Sequence, residues 1–399
     1  MVATSQSLAR RYAAFKGFKR APTQFNIDIL PQYYNEKGQV VCYPGSVFEG
    51  TVRLLLAEPL DVQHLKVTFK ATGRQLFWSG TTITQYGNLE RINYDAMGWG
   101  KSKNDGRLFA VRTVLWGFQT NEDGPWPTLE AGEHNFPFVC QLPLVNYPPS
   151  FDHHFIATTF MLNASLERPG QESFHSSPRK IQFQPILETS LVKPLGTYAE
   201  EVKISNAVHA FVSLPSLAYN IFEHQKIPVR LSIRSGRQQT ERAESFYVLH
   251  IYLKRYMTIV HDSFSRTEAV TVSYVDERVA AGDDVTVHLR LPPDQTVTLD
   301  YSNRFTLYYR VGISVKTRHG PLITKKKLLS IPVTFGTLPA GARAPADLTK
   351  FSDDRVMNDT SLQTKPKFLR PIRCENELPA YDLLRPPSYS TAMSSAVFP

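Results

Sequence analysis

The sequence predicts an all-β protein: two antiparallel β-sandwich domains followed by a disordered C-terminal tail. Apolar and polar residues alternate over most of the chain, as in residues 62–71, where Leu65, Val67 and Phe69 share one face. The alternating runs are rich in Val, Ile, Thr, Tyr and Phe, and Gly, Pro, Asn or Asp separate them. No capped helix of three turns is visible between them. Many short strands without intervening helices are typical of antiparallel sandwiches.

Nine runs carry the strand signal most clearly. We expect strands at residues 25–29, 47–56, 62–71, 107–116 and 154–166 in the first half of the chain, and at 246–260, 285–291, 305–315 and 322–335 in the second. A strand places every second side chain on the same face of its sheet, so these patterns predict sheets with one buried face each.

The chain length of 399 residues exceeds one ordinary hydrophobic core and predicts two domains. Three breaks in the pattern set the expected boundaries. They predict a disordered basic arm at 1–21, a first sandwich at 22–187, a second sandwich at 188–338 and a disordered tail at 339–399. The arm contains five basic residues and no acid, and the tail is rich in Pro, Ser, Asp and Lys. Such segments bury too little apolar surface to offset the entropy of ordering.

Charge and cysteine content narrow the classes of partner and compartment. The formal net charge of +9 favours anionic partners, either nucleic acid or a phospholipid surface. The three cysteines, Cys42, Cys140 and Cys374, are odd in number and far apart, which excludes a disulfide framework and favours a reducing compartment. No run approaches eighteen apolar residues, so we expect no membrane-spanning helix.

No enzyme signature is complete, so we expect no catalytic residues, no cofactor and no metal. Gly100, Lys101 and Ser102 resemble the end of a phosphate-binding loop, but Asp95 stands where that motif needs its first glycine. His153 and His154 are neighbours in an extended run and would point to opposite faces of a sheet. They are therefore poorly placed to share one metal ion.

A basic cluster flanks a Gly-Pro turn at residues 320–321. It comprises Lys316, Arg318, Lys325, Lys326 and Lys327. Two interpretations remain open: a solvated hairpin end, or contact with an anionic cytoplasmic leaflet, where each nearby cation is worth about 1 kcal/mol. A nucleic-acid face is not expected, because the nearby aromatic residues are interpreted as strand-core residues rather than a stacking platform.

The tail carries two tyrosine motifs with prolines at fixed spacing. The first is Leu378, Pro379 and Tyr381, and the second is Pro386, Pro387 and Tyr389. Polyproline II has three residues per turn, so the first residue and the tyrosine of each motif project from the same side. The aromatic groove of a WW domain binds this geometry, with one slot for proline and one for tyrosine. The motifs therefore predict a WW-domain ligand.

Several segments resemble the arrestin family. Residues 43–52 (YPGSVFEGTV), 132–138 (GEHNFPF), 142–143 (LP) and 147–151 (YPPSF) resemble arrestin N-domain signatures. Residues 226–229, 246–260 and 305–335 are similar to an arrestin C-domain. The tail motifs resemble those of α-arrestins, the arrestin-related trafficking adaptors. Together the resemblance covers about residues 22–338 and the tail.

The resemblance implies a non-enzymatic adaptor with two arrestin-like sandwiches. The sandwiches would engage a membrane transporter or receptor as cargo, and the tail would recruit a WW-containing HECT-type ubiquitin ligase for endocytosis and sorting. It implies a cytoplasmic protein, peripheral at the plasma membrane or endosomes. Leu378 replaces the usual first proline, so that copy is expected to bind more weakly. The alternatives are a retromer-type coat or cargo-sorting subunit, which would not need the tail motifs, and a β-sandwich ligand-binding protein.

Overall fold

The structure is a computed structural model that describes residues 21–75, 107–118, 126–153, 156–189, 197–223, 225–235, 246–261, 264–292, 295–302, 304–319, 322–351 and 364–369. Over these ranges the chain is all-β, which confirms the predicted fold class. A short 3-10 turn, Pro31–Tyr33, follows the first strand. A search of the same residues finds no helix long and apolar enough to cross a membrane.

The described residues of the first sandwich form thirteen strands in chain order. They are β1 (Gln24–Ile29), β2 (Val40–Cys42), β3 (Val47–Leu56), β4 (Leu60–Asp61), β5 (His64–Gln75), β6 (Arg107–Gly117), β7 (Thr128–Leu129), β8 (Gly132–Gln141), β9 (Val145–Asn146), β10 (Phe151–Asp152), β11 (Ile156–Arg168), β12 (Gln171–His175) and β13 (Arg179–Phe183). Predicted and observed bounds agree for β3, and for β11 they differ by two residues at each end.

In the second sandwich the described residues form nine strands, and two more short strands are described beyond it. They are β14 (Tyr198–Ser205), β15 (Val208–Leu214), β16 (Ala218–Asn220), β17 (Lys226–Ser235), β18 (Phe246–His261), β19 (Phe264–Ala280), β20 (Asp284–Arg290), β21 (Phe305–His319), β22 (Leu322–Gly336), β23 (Thr349–Lys350) and β24 (Lys367–Leu369). The longest pairing of the described residues joins β18 to β19, strands of 16 and 17 residues.

Each sandwich packs two main sheets face to face. The sheet orders are β1-β3-β8-β24 against β2-β13-β11-β5-β6 in the first sandwich, and β14-β15-β17-β20 against β16-β22-β21-β18-β19 in the second. Alternate residues of the facing sheets form two separate apolar cores. In β3, for example, Phe48, Val52 and Leu54 are fully buried, whereas Glu49, Thr51 and Arg53 on the other face are more exposed.

A third apolar cluster joins the two sandwiches. Phe151 and Ile156 of the first contact Met257, Ile259, Leu299, Tyr301, Phe305 and Leu307 of the second. The rings of Phe151 and Phe305 stack with centroids 5.8 Å apart. The Tyr301 hydroxyl donates a hydrogen bond of 2.9 Å to the backbone carbonyl of Tyr147. Both sandwiches therefore share a packed interface in addition to the covalent connection.

The chain after residue 338 departs from the prediction of a disordered tail at 339–399. Residues 339–351 and 364–369 are ordered and return to the first sandwich. There β23 pairs in parallel with β9, and β24 adds an antiparallel strand to β8. Phe351 is buried in the first core, and Phe368 packs on Phe138. The edge of a sheet has unpaired backbone groups, so it can bind an additional strand even from a Pro-rich segment. Because this pairing does not depend on the composition of the added segment, composition alone did not predict it.

Candidate interaction surfaces

The segment 43–52, which carries part of the family resemblance, builds a turn and a tightly packed strand. Gly45 has a φ of +75°, which its turn requires and which glycine adopts without strain. The Ser46 hydroxyl closes that turn by accepting from the Tyr43 amide at 3.1 Å. Gly50 lies where a Cβ would approach the Phe138 ring and the Asp28 carbonyl to 2.7 Å. Gly45 thus allows the turn, and Gly50 allows close packing in the first sandwich.

The segment 147–151 connects three parts of the molecule through Tyr147. Its ring is fully buried among Phe109, Phe183 and Phe351, with centroid distances of 5.2, 5.6 and 5.2 Å. Its hydroxyl donates to the carbonyl of Thr364 at the start of the last described segment. Burial raises the pKa of this phenol far above its ordinary value, so the hydroxyl remains a donor at all accessible pH. Tyr147 therefore holds the chain beyond residue 338 on the first core.

The two predicted WW-binding motifs lie outside the described residues. This holds for Leu378, Pro379, Tyr381, Pro386, Pro387 and Tyr389. The last described residue before them is Leu369, at the end of β24 on the edge of the first sandwich. Leu378 follows Leu369 by nine positions, a span of at most about 32 Å when extended. The motifs therefore begin within that reach of the first sandwich.

The basic cluster at the β21–β22 hairpin is divided between two faces of the sheet. Lys325 and Lys327 lie on the outer face, opposite Lys316 and Ser314 of β21. Lys326 lies opposite the buried Val315 and donates at 2.9 Å to the carbonyl of Ile204. A strand alternates its side chains, so three consecutive lysines do not share one surface. The backbone of Arg318 lies in β21, but its side chain is outside the described part of the structure.

Lys316 is the one member of this cluster for which an ion pair is recorded in the described structure. Its ammonium group contacts Asp276 of β19, and His250 Nδ1 lies 2.6 Å from the other oxygen of the same carboxylate. The hydrogen bond from Lys316 holds the pKa of Asp276 below its ordinary value. Asp276 therefore stays ionised and offsets part of the local positive charge at neutral pH.

The interpretation of the neighbouring aromatic residues as core residues is wrong for the outer face of this sheet. Tyr252, Tyr274, Tyr256 and Tyr308 occupy outward positions, and Tyr274 is 64% exposed. The rings of Tyr256 and Tyr308 stack with their centroids 4.9 Å apart and an angle of 3° between their planes. Outward positions of β18 have even numbers and include histidine, tyrosine and lysine. This polar alternation is the sequence signal that identifies an exposed face.

The remaining candidate residues for chemistry are buried, dispersed or outside the described ranges. Cys42 and Cys140 are buried free thiols, and burial raises the pKa of Cys42 to about 12, so its reactive thiolate is scarce at neutral pH. No group of three or more His, Cys, Asp or Glu side chains that could hold a metal is found among the described residues. His153 Nε2 lies 3.7 Å from Glu268 of the second sandwich. His154 and the loop with Gly100, Lys101 and Ser102 fall outside the described part.

An open groove of about 530 Å³ lies over the sheet β14-β15-β17-β20 of the second sandwich. Phe211, Arg230, Ser232 and Asp284 are among its lining residues. The groove is lined by both charges and one aromatic ring, and Arg234 stacks at 4.5 Å over that ring. If the protein were instead a ligand-binding β-sandwich, this groove would be a candidate site for the ligand.

Comparison with known families connects the first sandwich to one of them. Residues 32–184 match the family model described as "Arrestin (or S-antigen), N-terminal domain". No curated protein matches the chain significantly. The matched range runs from the 3-10 turn to the residue after β13, and so includes the Gly45 turn and the Tyr147 junction. Over residues 32–184 the first sandwich is therefore similar to an arrestin N-terminal domain.

Proposed function

We propose that this protein is a non-enzymatic adaptor of the α-arrestin type that recruits a WW-containing HECT-type ubiquitin ligase to membrane cargo. The arrestin N-terminal domain supports an arrestin-type adaptor role. The observation that carries the ligase partner is the pair of motifs ending in Tyr381 and Tyr389. In a polyproline II conformation the first residue and the tyrosine of each motif, Leu378 with Tyr381 and Pro386 with Tyr389, would project from one side, which is the geometry that a WW groove binds.

In this mechanism the folded part and the tail have separate tasks. The two sandwiches bind a transporter or receptor, and the tail delivers the ligase to it at the plasma membrane or on endosomes. Attachment of residues 364–369 to the first sandwich supports the proposal, because it starts the tail at a fixed point. A tethered ligand samples a small volume, and this raises its effective concentration for a partner at the same membrane.

Replacing both tyrosines is expected to abolish capture of the full chain by immobilised WW domains. Tyr381→Ala with Tyr389→Ala removes the ring that fills the tyrosine pocket in both motifs and leaves the sandwiches unchanged. Phe398→Ala, an aromatic change in the same tail but outside both motifs, serves as the matched control and should be captured like the wild type. The readout is the bound fraction in a pull-down at equal protein concentration.

Capture of the double variant at the wild-type level would contradict the ligase role. A role as a retromer-type cargo-sorting subunit, which needs no WW ligand, would then explain the same fold better than the ligase adaptor does.

A further inference from the structure

A contact between a histidine and a glutamate joins the two sandwiches next to the third apolar cluster. His153 follows β10 of the first sandwich, and its Nε2 atom lies 3.7 Å from Oε2 of Glu268 in β19 of the second. The two side chains are 12% and 29% exposed, and the Glu268 Oε2 atom itself is buried. An electrostatic attraction between these groups therefore acts across the interface, where solvent screens it only weakly.

Members of the apolar cluster hold both side chains in position. The His153 ring stacks on the ring of Phe151, with centroids 6.1 Å apart and an angle of 12° between the planes. The His153 amide donates a hydrogen bond of 2.9 Å to the carbonyl of Ile156. Glu268 is the cross-strand partner of Met257, which packs in the same cluster. The contact between His153 and Glu268 therefore exists only while the two sandwiches are packed together.

Other charged and titratable groups near this contact come from both sandwiches. The Arg255 Cζ atom lies 5.7 Å from the centroid of the Phe151 ring, and Arg304 donates at 3.4 Å to the carbonyl of Gly73. Arginines oppose a positive charge on the imidazole, whereas carboxylates favour it. The described titratable residues of the elements that pack here are Asp152, Arg255, Arg266, Glu268, Asp300, Tyr301 and Arg304. Because Glu268 contacts the imidazole, its interaction changes strongly when the ring becomes charged.

We infer that protonation of His153 tightens the contact between the two sandwiches, so that their interface responds to pH. Histidine is the side chain whose charge ordinarily changes between about pH 5 and 8. In the charged ring both nitrogens carry protons, so Nε2 can donate a charge-assisted hydrogen bond to Glu268. The neutral ring supplies no opposite charge to the buried carboxylate oxygen. The closed arrangement is therefore favoured as the pH falls and loses this contribution as the pH rises.

Met257 provides a native reporter of how often this interface opens. Its side chain is 3% exposed in the third apolar cluster, and hydrogen peroxide oxidises an accessible thioether to the sulfoxide. Met161 is 39% exposed on the first sandwich, so it is oxidised whether or not the interface opens and serves as the internal reference. The readout is the oxidation rate of Met257 divided by that of Met161, measured by peptide mass spectrometry on the full chain at about pH 5.5 and about pH 8. The inference does not depend on the ligase role of the tail.

In the wild type this ratio is expected to be about tenfold lower at the acidic pH, because a hydrogen bond to a charged group changes an equilibrium by about that factor or more. His153→Gln and Glu268→Gln each remove one charge of the pair and should abolish most of the pH dependence. His209→Gln is the matched control. His209 Nδ1 lies 2.8 Å from Glu201, but both residues belong to the second sandwich, so this variant should keep the wild-type response.

Circular dichroism and thermal unfolding at both pH values distinguish opening of the interface from loss of fold in each variant. The inference is overturned if the wild-type ratio is the same at both pH values, or if His153→Gln keeps the full pH response. It is also overturned if His209→Gln abolishes the response, because titration within the second sandwich would then control the interface. Absence of Met257 oxidation at the alkaline pH would likewise overturn it, because the interface would then stay closed with a neutral imidazole.

Discussion

Tyr147→Ala is expected to lower the free energy of unfolding of the first sandwich by about 3–5 kcal/mol, the range for deleting a large buried ring. The ring is fully buried and contacts four aromatic side chains, Phe109, Phe160, Phe183 and Phe351. Alanine would leave a cavity at the point where the core, the returning chain and the second sandwich meet. In a domain of this size such a loss lowers the melting temperature by about 10 °C.

Tyr147→Phe is the matched control for this change. It keeps the ring and removes the hydroxyl that donates to Thr364, so we expect a loss of about 1 kcal/mol. Chemical denaturation of the three proteins, followed by tyrosine and tryptophan fluorescence, measures both differences. Equal stability of the alanine and phenylalanine variants would show that Tyr147 does not fill the core as described.

A chain ending at Leu338 is expected to be less stable than a chain ending at Glu375, by about 3 kcal/mol or more. The shorter chain lacks Phe351, which is 5% exposed in the first core, and Phe368, which packs on Phe138. It also leaves the edge of β8 unpaired along Val139 to Gln141, and an open edge promotes association between chains. The longer chain retains every described contact and should melt like the full chain.

Two point variants separate lost packing from the truncation itself. Phe351→Ala in the full chain should reproduce most of the destabilisation, whereas Leu369→Ala, at a 40% exposed position of β24, should change stability by less than about 1 kcal/mol. Calorimetric melting temperatures of the two truncations and the two variants provide the comparison. If the chain ending at Leu338 has the same melting temperature as the full chain, residues 339–351 and 364–369 do not stabilise the first sandwich as described.

The period-two pattern predicted strands in both cores but missed others, including the amphipathic core strands β15 and β17 as well as strands without an apolar face. Residues 47–56 have one apolar face, and β3 occupies that range. The 17-residue strand β19 was missed because it lies at the edge of its sheet, where Arg266, Thr271 and Tyr274 are all exposed. An edge strand of this kind has no continuous apolar face, so its partner β18, not its own pattern, determines its structure.

The interaction surfaces were less predictable than the fold because they depend on register and on distant pairing. A consecutive run at Lys325, Lys326 and Lys327 suggested one cluster, although the pleat divides it between two faces. Lys254 and Arg278 join Lys325 through strands that are about 50 to 70 residues away in sequence. Tail residues Phe351 and Phe368 are isolated in a polar segment, and local patterning contains no information about the core position that receives them.

Calorimetric titration of the full chain with a tandem WW protein tests the adaptor account most directly. The tyrosines of the two motifs are eight residues apart, at most about 28 Å when extended. If both grooves lie within that distance, the second motif binds at about millimolar effective concentration, and the wild type should bind 10²-fold or more tighter than either Tyr381→Ala or Tyr389→Ala. Tyr381→Ala should cost less than Tyr389→Ala if the two motifs act separately, because Leu378 replaces the usual proline in the first motif. The account predicts no measurable heat of binding for the double variant, and binding of that variant with wild-type affinity would contradict it.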